Sequence, residues 1–524
     1  MTVPESIEAS STWLRDSDRH NLKLNSLLSM VGLVVLGGTR VLYGSMVSRA
    51  TDPETYGVVA VLIAVSLILS LILPGGLGSA ISRFVPYTRG SGDVAKARAL
   101  YRRLSLVSFA AASTLGVAAA VGAIYLALPP SQVAEISALT VVYSLYVTRK
   151  VGLYAFDRVG VYVRLELVAS VTTIGATLAV ILLGATLYLL PLILGYGLFV
   201  VGSSTTLRDE TRDAYASVTA REKREIARYV ALACVGSLAG VGFLQATQLL
   251  AAQQASLTAA AYLAASITLI SPLYLFPRAL GLALFPAMAE AHGSRRLEVV
   301  RRHADLTTRA LLVLPAPLFV AGQVVAAPVL ALYGGAAFAA GALIFQIMLV
   351  GAYFAVVAVP SINALSSASG EQLRTPVGWA VAGATIGLSL VALMSGQASG
   401  TGIAAAYLVG TALTAAGPIA VVWHRYKMDW AGPVARAGLT LALAFVVARV
   451  LEGSRAGSDG QWLVDGIVAL MVVAVAVLLL HRDIGAVLRS ARPRGAQVGP
   501  SGSIVALDGA TGVAGPSTPD GNRP

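Results

Sequence analysis

Apolar runs of about twenty residues recur along the chain, separated by short polar breaks. About 20 apolar residues in a helix cross the hydrocarbon core of a bilayer. Lipid also requires every spanning backbone group to be hydrogen-bonded inside its own helix. The pattern therefore predicts an all-α integral membrane protein of about 14 transmembrane helices. The windows fall at 26–48, 55–80, 104–128, 132–154, 166–186, 188–206, 228–252, 257–286, 309–331, 338–363, 375–396, 400–423, 433–451 and 462–481. The fifth and sixth share one apolar run, divided only by Gly184 to Thr186.

The positions of the 38 Lys and Arg test this count, because such residues stay preferentially cytoplasmic. With the N-terminus inside, the basic groups from Arg15 to Lys23, Arg83 to Arg103, Arg149 to Arg164, Arg208 to Arg228, Arg295 to Arg309 and Arg425 to Arg436, and those from Arg482 onward, all fall on one side. Arg49, Arg449 and Arg455 lie on the other. A miscounted helix would scramble this alternation. An even number of spans in the cytoplasmic membrane, with both termini cytoplasmic, follows. The outer connections, around Pro129–Ser131, Gln254–Leu257, Tyr333–Phe338 and Gln397–Thr401, leave no room for an extracellular domain.

The expected organisation is a cytoplasmic segment over 1–25, a lobe of spans 1–6 over 26–206, a cytoplasmic linker over 207–227, and a lobe of spans 7–12 over 228–424. Two extra helices over 425–481 and a largely disordered tail over 482–524 complete it. Tyr56 and Tyr262, which open similar Ala-, Ile- and Leu-rich stretches in spans 2 and 8, fit two six-helix halves. Asp93–Arg103 and Arg295–Arg309 alternate apolar and basic residues at helical spacing, predicting amphipathic helices on the inner membrane face. Trp379, Trp423, Trp430 and Trp462 fall at span ends, where aromatic belts form.

Composition narrows the function classes. The chain is 56% hydrophobic and 12% charged, against about 25% charged in soluble domains. Its net charge of +12 is topological and suits anionic headgroups, so membrane lipids are expected partners and nucleic acid is not. Cys234 is the single cysteine, and His20, His292, His303, His424 and His481 scatter over inner loops and span ends. Neither a metal site nor a cofactor is expected. No Asp or Glu falls near the middle of a window: Glu135, Glu452 and Asp465 are near outer ends, Glu166 and Glu290 near inner ends. That argues against pumps built on a buried carboxylate and against enzymes needing paired carboxylates. Asp52, Pro53 and Glu54 read as a helix start.

Two arginines break the apolar pattern. Arg40 and Arg278 lie inside spans, where a guanidinium costs about 2.5–3.5 kcal/mol and should face a wet or protein-lined interior. Two readings stand. Each arginine snorkels or caps carbonyls freed by Gly37 and Gly38 or by Pro272 and Pro277, or each lines a cationic cavity for an anionic substrate, since guanidinium grips phosphate in bidentate fashion. Gln245 and Gln248 in span 7, with Gln346 and Asn363 in span 10, are either interhelical glue or donors to a sugar. Pro272, Pro277 and Pro286 in span 8, and Pro315 and Pro317 in span 9, predict broken helices.

The stretch Ser48-Arg49-Ala50-Thr51-Asp52-Pro53-Glu54-Thr55-Tyr56-Gly57, followed by Gly75-Gly76-Leu77-Gly78-Ser79-Ala80-Ile81-Ser82-Arg83-Phe84, resembles the opening of polysaccharide-export flippases. That family belongs to the multidrug/oligosaccharidyl-lipid/polysaccharide (MOP) exporter superfamily. Ala261-Tyr262-Leu263-Ala264-Ala265, Leu284-Phe285-Pro286, Leu332-Tyr333-Gly334 and Gly400-Thr401-Gly402-Ile403-Ala404-Ala405-Ala406 extend the resemblance in order over residues 26–425. The resemblance implies two six-helix lobes around a central cavity lined by spans 1, 2, 7 and 8. It also implies alternating-access movement of a polyprenyl-(pyro)phosphate-linked oligosaccharide, beside polysaccharide polymerase or assembly proteins. Arg40, Arg278, Arg49, Arg83, Gln245 and Gln248 are then the candidate cavity residues. Members often carry an acid in span 7 where this chain has Gln245 or Gln248, so ion coupling there is in doubt. The rivals are a small-molecule exporter of the same superfamily, a membrane glycosyltransferase and an assembly scaffold.

Overall fold

The structure is a computed structural model. It describes residues 5–208, 210, 217–274, 277, 288, 296–367, 374–394, 398–453 and 461–491, with side chains from Leu27 onward except at 453, 461–463, 490 and 491. Arg278, Glu290, His292, the Leu284–Pro286 motif, residues 209 and 211–216 of the linker and most of the tail lie outside the described residues. Every regular element among the described residues is helical. Thirteen helical stretches are long and apolar enough to cross a membrane. A fourteenth helix, Pro130–Ala155, is 26 residues long and packs among them. Glu135, Arg149, Lys150 and its Ser and Thr residues make it less apolar than its neighbours. The protein is an all-α, multi-pass membrane protein.

The first lobe comprises α1 (Glu5–Ala50), α2 (Pro53–Ile72), α3 (Pro74–Gly90), α4 (Val94–Tyr125), α5 (Pro130–Ala155), α6 (Val159–Leu182) and α7 (Leu190–Arg208). The second comprises α8 (Ala220–Ser237), a π turn at Leu238–Gly242, α9 (Phe243–Gln254), α10 (Leu257–Ile270), α11 (Leu297–Val313), α12 (Ala316–Val324), α13 (Ala326–Gly334), α14 (Ala342–Ser366), α15 (Arg374–Leu393) and α16 (Gly400–Tyr426). Two further helices, α17 (Ala431–Gly453) and α18 (Gln461–Ala491), pack on α12. The fifth and sixth spans separate at Leu183–Leu189, where Gly184 has a φ of +64° that suits glycine.

Several boundaries differ from the sequence reading. The window at 55–80 is two helices, because Pro74 lacks an N–H and holds Leu73 out of the helical region, at φ −129°. Asp93–Arg103 is no separate surface helix: Asp93 caps α4, which runs unbroken to Tyr125. Arg296–Arg309 likewise runs on through α11 and buries Val300, Ala304 and Thr308. The ninth span is in three pieces, broken at Leu314–Pro315 and again at Val325. Helix α1 starts at Glu5, inside the segment expected to precede it, since neither Pro nor Gly falls between Glu5 and Val31. Helix α18 continues through His481 to Ala491, past the expected tail boundary.

Close approach replaces apolar burial as the glue within lipid. A Cβ on Gly383 of α15 would lie 2.3 Å from the Gly410 carbonyl oxygen of α16. Polar pairs add to it. Gln323 of α12 and Gln346 of α14 each donate to the other's backbone carbonyl, and Gln346 also donates to Glu452 of α17. Trp430 is fully buried against Trp423 and donates to Asp305, so it belongs to a small core rather than an interfacial belt.

Helices α17 and α18 are clasped by a bidentate pair, Arg436 to both Asp483 oxygens at 2.7 and 2.8 Å. Breaking charge-assisted bonds around a nearly buried carboxylate costs about 2–3 kcal/mol. Asp483→Ala should therefore lower the thermal unfolding midpoint of the purified protein, whereas Arg449→Ala, whose Glu452 partner keeps its bond from Gln346, should lower it less.

Candidate substrate cavity

Where the two lobes meet, α1, α2, α5, α7, α9 and α10 enclose a cavity of about 110 Å³. It is small beside the roughly 300–1,000 Å³ typical of ligand sites. It has room for several waters and not for a sugar chain, so the lobes are drawn together around it. Its walls are mainly apolar, from Ala60, Ile63, Leu67, Leu139 and Leu192, with a polar group formed by Arg40, Tyr143, Tyr196, Gln245 and Gln248.

Arg40 is the charge in that wall. Its Nη2 donates to the Tyr143 hydroxyl at 3.1 Å, and its guanidinium also lies against Tyr196 and near Tyr146. Tyr143 and Tyr146 stack, with ring centroids 5.8 Å apart, and Tyr196 lies edge-on to Tyr143 at 5.2 Å. The sequence reading considered freed carbonyls or an anion as partners for Arg40, and not these phenols. Three tyrosines spread over α5 and α7 receive it, a grouping that no local motif displays. A carboxylate stands behind them: Glu166 is buried and accepts from the Tyr146 hydroxyl at 2.9 Å. Glu166 is near the helix start in sequence, but the packing of α6 on α1 and α5 brings it within electrostatic reach of Arg40.

Gln245 and Gln248 face the same cavity from α9, with the Gln248 amide donating to the Gln245 carbonyl oxygen at 2.8 Å. The π turn at Leu238–Gly242 lies just before them, three of whose five residues are Gly or Ala. Such insertions re-aim the residues that follow and often sit at functional sites.

Arg49 and Arg83 lie elsewhere. Arg49 donates to the Leu332 carbonyl at the end of α13, where Ser45 and Ser48 donate to the Tyr333 carbonyl at 2.8 and 3.3 Å. The Tyr56 and Tyr333 hydroxyls meet at 2.7 Å. These contacts tie α1 and α2 of the first lobe to the second and close the cavity at the end remote from the basic loops. Glu135 serves structure there, accepting from the Leu189 and Leu190 amides at the start of α7.

Arg83 is at the basic end, with its guanidinium over the Phe84 and Tyr229 rings at 5.4 and 4.8 Å. Nearby, Lys96 of α4 pairs with Glu222 of α8, again across the lobes. The Lys96 ammonium, with the Thr219 amide and hydroxyl, draws the Glu222 carboxyl down to about 2 from 4.5. A depressed carboxyl contributes stability above its unfolded value and loses it as pH falls through its folded value. The contribution of this contact should be complete above about pH 5 and fade toward pH 2. The difference in unfolding midpoint between the wild type and Glu222→Gln, measured across that range, should shrink as pH falls.

No family model and no curated protein matches the chain. Solved structures do. The lipid II flippase MurJ in an inward closed conformation aligns over 88% of this chain and 99% of its own, with a TM-score of 0.60 at 12% identity. An inward-facing multidrug resistance MATE family transporter of the MOP superfamily aligns over 76% and 98%, with a TM-score of 0.61 at 13% identity. The chain shares the fold of these two proteins. A Vibrio cholerae MATE transporter shares it too, over 86% and 99%, with a TM-score of 0.54 at 12% identity. Such identities establish the fold and leave the substrate to the residues of the cavity.

Proposed function

We propose that this MOP-fold protein is a flippase, moving a polyprenyl-(pyro)phosphate-linked oligosaccharide across the cytoplasmic membrane by alternating access. The observation that carries the proposal is Arg40, a guanidinium in the wall of the cavity between the lobes, held by phenol groups, with no carboxylate bonded to it among the described residues. Phenols orient the fork without neutralising it, leaving a positive charge for phosphate oxygens. The substrate-facing set is Arg40, Gln245 and Gln248; Arg278, the other arginine expected there from the sequence, lies outside the described residues. Arg49 and Arg83 serve the two ends, one in the contacts that close the outer side and one at the inner mouth.

The neighbouring glutamines suit sugar hydroxyls, and MurJ, one of the similar folds, is a lipid II flippase. Nothing in the reading requires a catalytic step. Membrane lipids are the medium of the reaction, and polysaccharide polymerase or assembly proteins would act on the product. The test is reconstitution in liposomes with a polyprenyl-pyrophosphate-linked sugar, following its protection from an enzyme added outside. Movement above that of protein-free liposomes supports the proposal. Gradient-driven efflux of organic cations without lipid movement would favour the small-molecule exporter, a reading to which the MATE folds lend weight.

A further inference from the structure

Behind Arg40 lies a buried group that the flippase reading leaves unused. Glu166 of α6 is 2% exposed and is joined to the cavity through one layer of aromatic rings. The Tyr146 hydroxyl donates to it. The Tyr146 ring lies 4.7 Å from Tyr196 and 5.8 Å from Tyr143, the two phenols that hold Arg40. On its other side, the Lys150 ammonium stands over the Tyr146 and Tyr162 rings at 5.7 and 5.0 Å.

Among the described residues, the titratable and charged groups that interact with Glu166 are Tyr146, Lys150 and Tyr154 from α5, Tyr196 from α7 and Arg40 from α1, and Tyr162 lies one turn before it on α6. Ionised Glu166 sets one negative charge against the two cations, Arg40 and Lys150. A neutral Glu166 withdraws that negative charge from the surroundings of Arg40. In a water-poor interior that difference is felt across the ring layer.

We propose that Glu166 is a proton-binding site coupled to the cavity, so that a proton there and a phosphate-type anion beside Arg40 each strengthen the binding of the other. The proposal rests on the reading of the cavity as an anion site. An ionised Glu166 partly cancels the field that attracts the anion, and an arriving anion favours the neutral acid by the same factor, because binding linkage is reciprocal. Proton and anion are therefore taken up together, and raising the pH releases the anion.

The test is calorimetric titration of the full-length protein in detergent with inorganic pyrophosphate. It runs between about pH 6 and pH 8.5, in paired buffers of different ionisation enthalpy that report protons taken up per anion bound. Wild-type affinity should fall about tenfold more than that of Glu166→Gln over this range, at the middle of common coupling strengths. The variant should show only the pH dependence that comes from protonation of pyrophosphate itself, which the comparison with wild type cancels. Wild type should take up an additional fraction of a proton that the variant does not. Tyr146→Phe keeps the carboxylate but removes its hydrogen bond, so it should displace the midpoint while preserving the pH dependence.

Equal pH profiles and equal proton counts for wild type and Glu166→Gln, with binding intact, overturn the coupling and leave the anion cavity standing. Should Glu166→Gln fail to fold, the wild-type proton count and the Tyr146→Phe midpoint decide, and no proton uptake with no displaced midpoint overturns the coupling. Absence of pyrophosphate binding to wild type at every pH overturns both readings.

Discussion

Arg40→Ala should reduce leaflet-to-leaflet movement of a pyrophosphate-linked sugar by about 10- to 100-fold, the equivalent of about 1.5–3 kcal/mol for a lost charge-assisted contact. Folding should be little affected. Removing the side chain leaves Tyr143, which lines the cavity, free to bond water in place of the guanidinium. Arg40→Lys should recover part of the activity, since it restores the charge without the planar fork. Assays in liposomes reconstituted at equal protein content separate these outcomes, with thermal unfolding as the control for folding. Wild-type transport in Arg40→Ala would remove the substrate role assigned to this residue.

The second large effect is expected at Gly57. A Cβ there would sit 2.2 Å from the backbone oxygen of Leu257, where α2 passes the start of α10. A backbone carbonyl at a helix start cannot turn aside as a side chain can, so Gly57→Val must hold the two lobes apart at the end remote from the basic loops. The Tyr56–Tyr333 contact would then fail to form, and the proposed transport cycle, which closes this end at each turn, should lose nearly all turnover. A cysteine introduced at Gln248, in a Cys234→Ala background, should become more reactive to a charged maleimide from outside in Gly57→Val than in its Gly57 parent. Normal transport in Gly57→Val would mean that α2 and α10 do not need this approach.

Much of the fold was legible because lipid imposes a single rule on spanning segments, an apolar helix of set length, and the charges between segments count the crossings. Gly184 marked the division between α6 and α7 for the same reason. Pro74 was visible as a residue, but its effect depends on whether the helix continues beyond it, which apolar periodicity does not reveal. The π turn before Phe243 has no signature beyond small residues.

In the cavity, Arg40, Gln245 and Gln248 stood out as polar groups in apolar runs. Their surroundings did not. Tyr143, Tyr146 and Tyr196 read as ordinary span residues, and they meet Arg40 only once α1, α5 and α7 are packed. Glu166 was misjudged by its distance from a helix end, since depth along one helix says little about which charges face it from the next.

The seam between α3 and α8 has a practical consequence. The thiol of Cys234, the chain's single cysteine, is wedged against α3 so closely that a Cβ on Gly76 would lie 2.3 Å from it. The natural protein therefore carries its own latch indicator at the inner end, with no other sulfhydryl to confuse the signal. Alkylation of that one thiol should be slow while α3 and α8 stay pressed together and fast when they part. Its rate, followed as substrate is added, would time the opening of this end in an unaltered molecule.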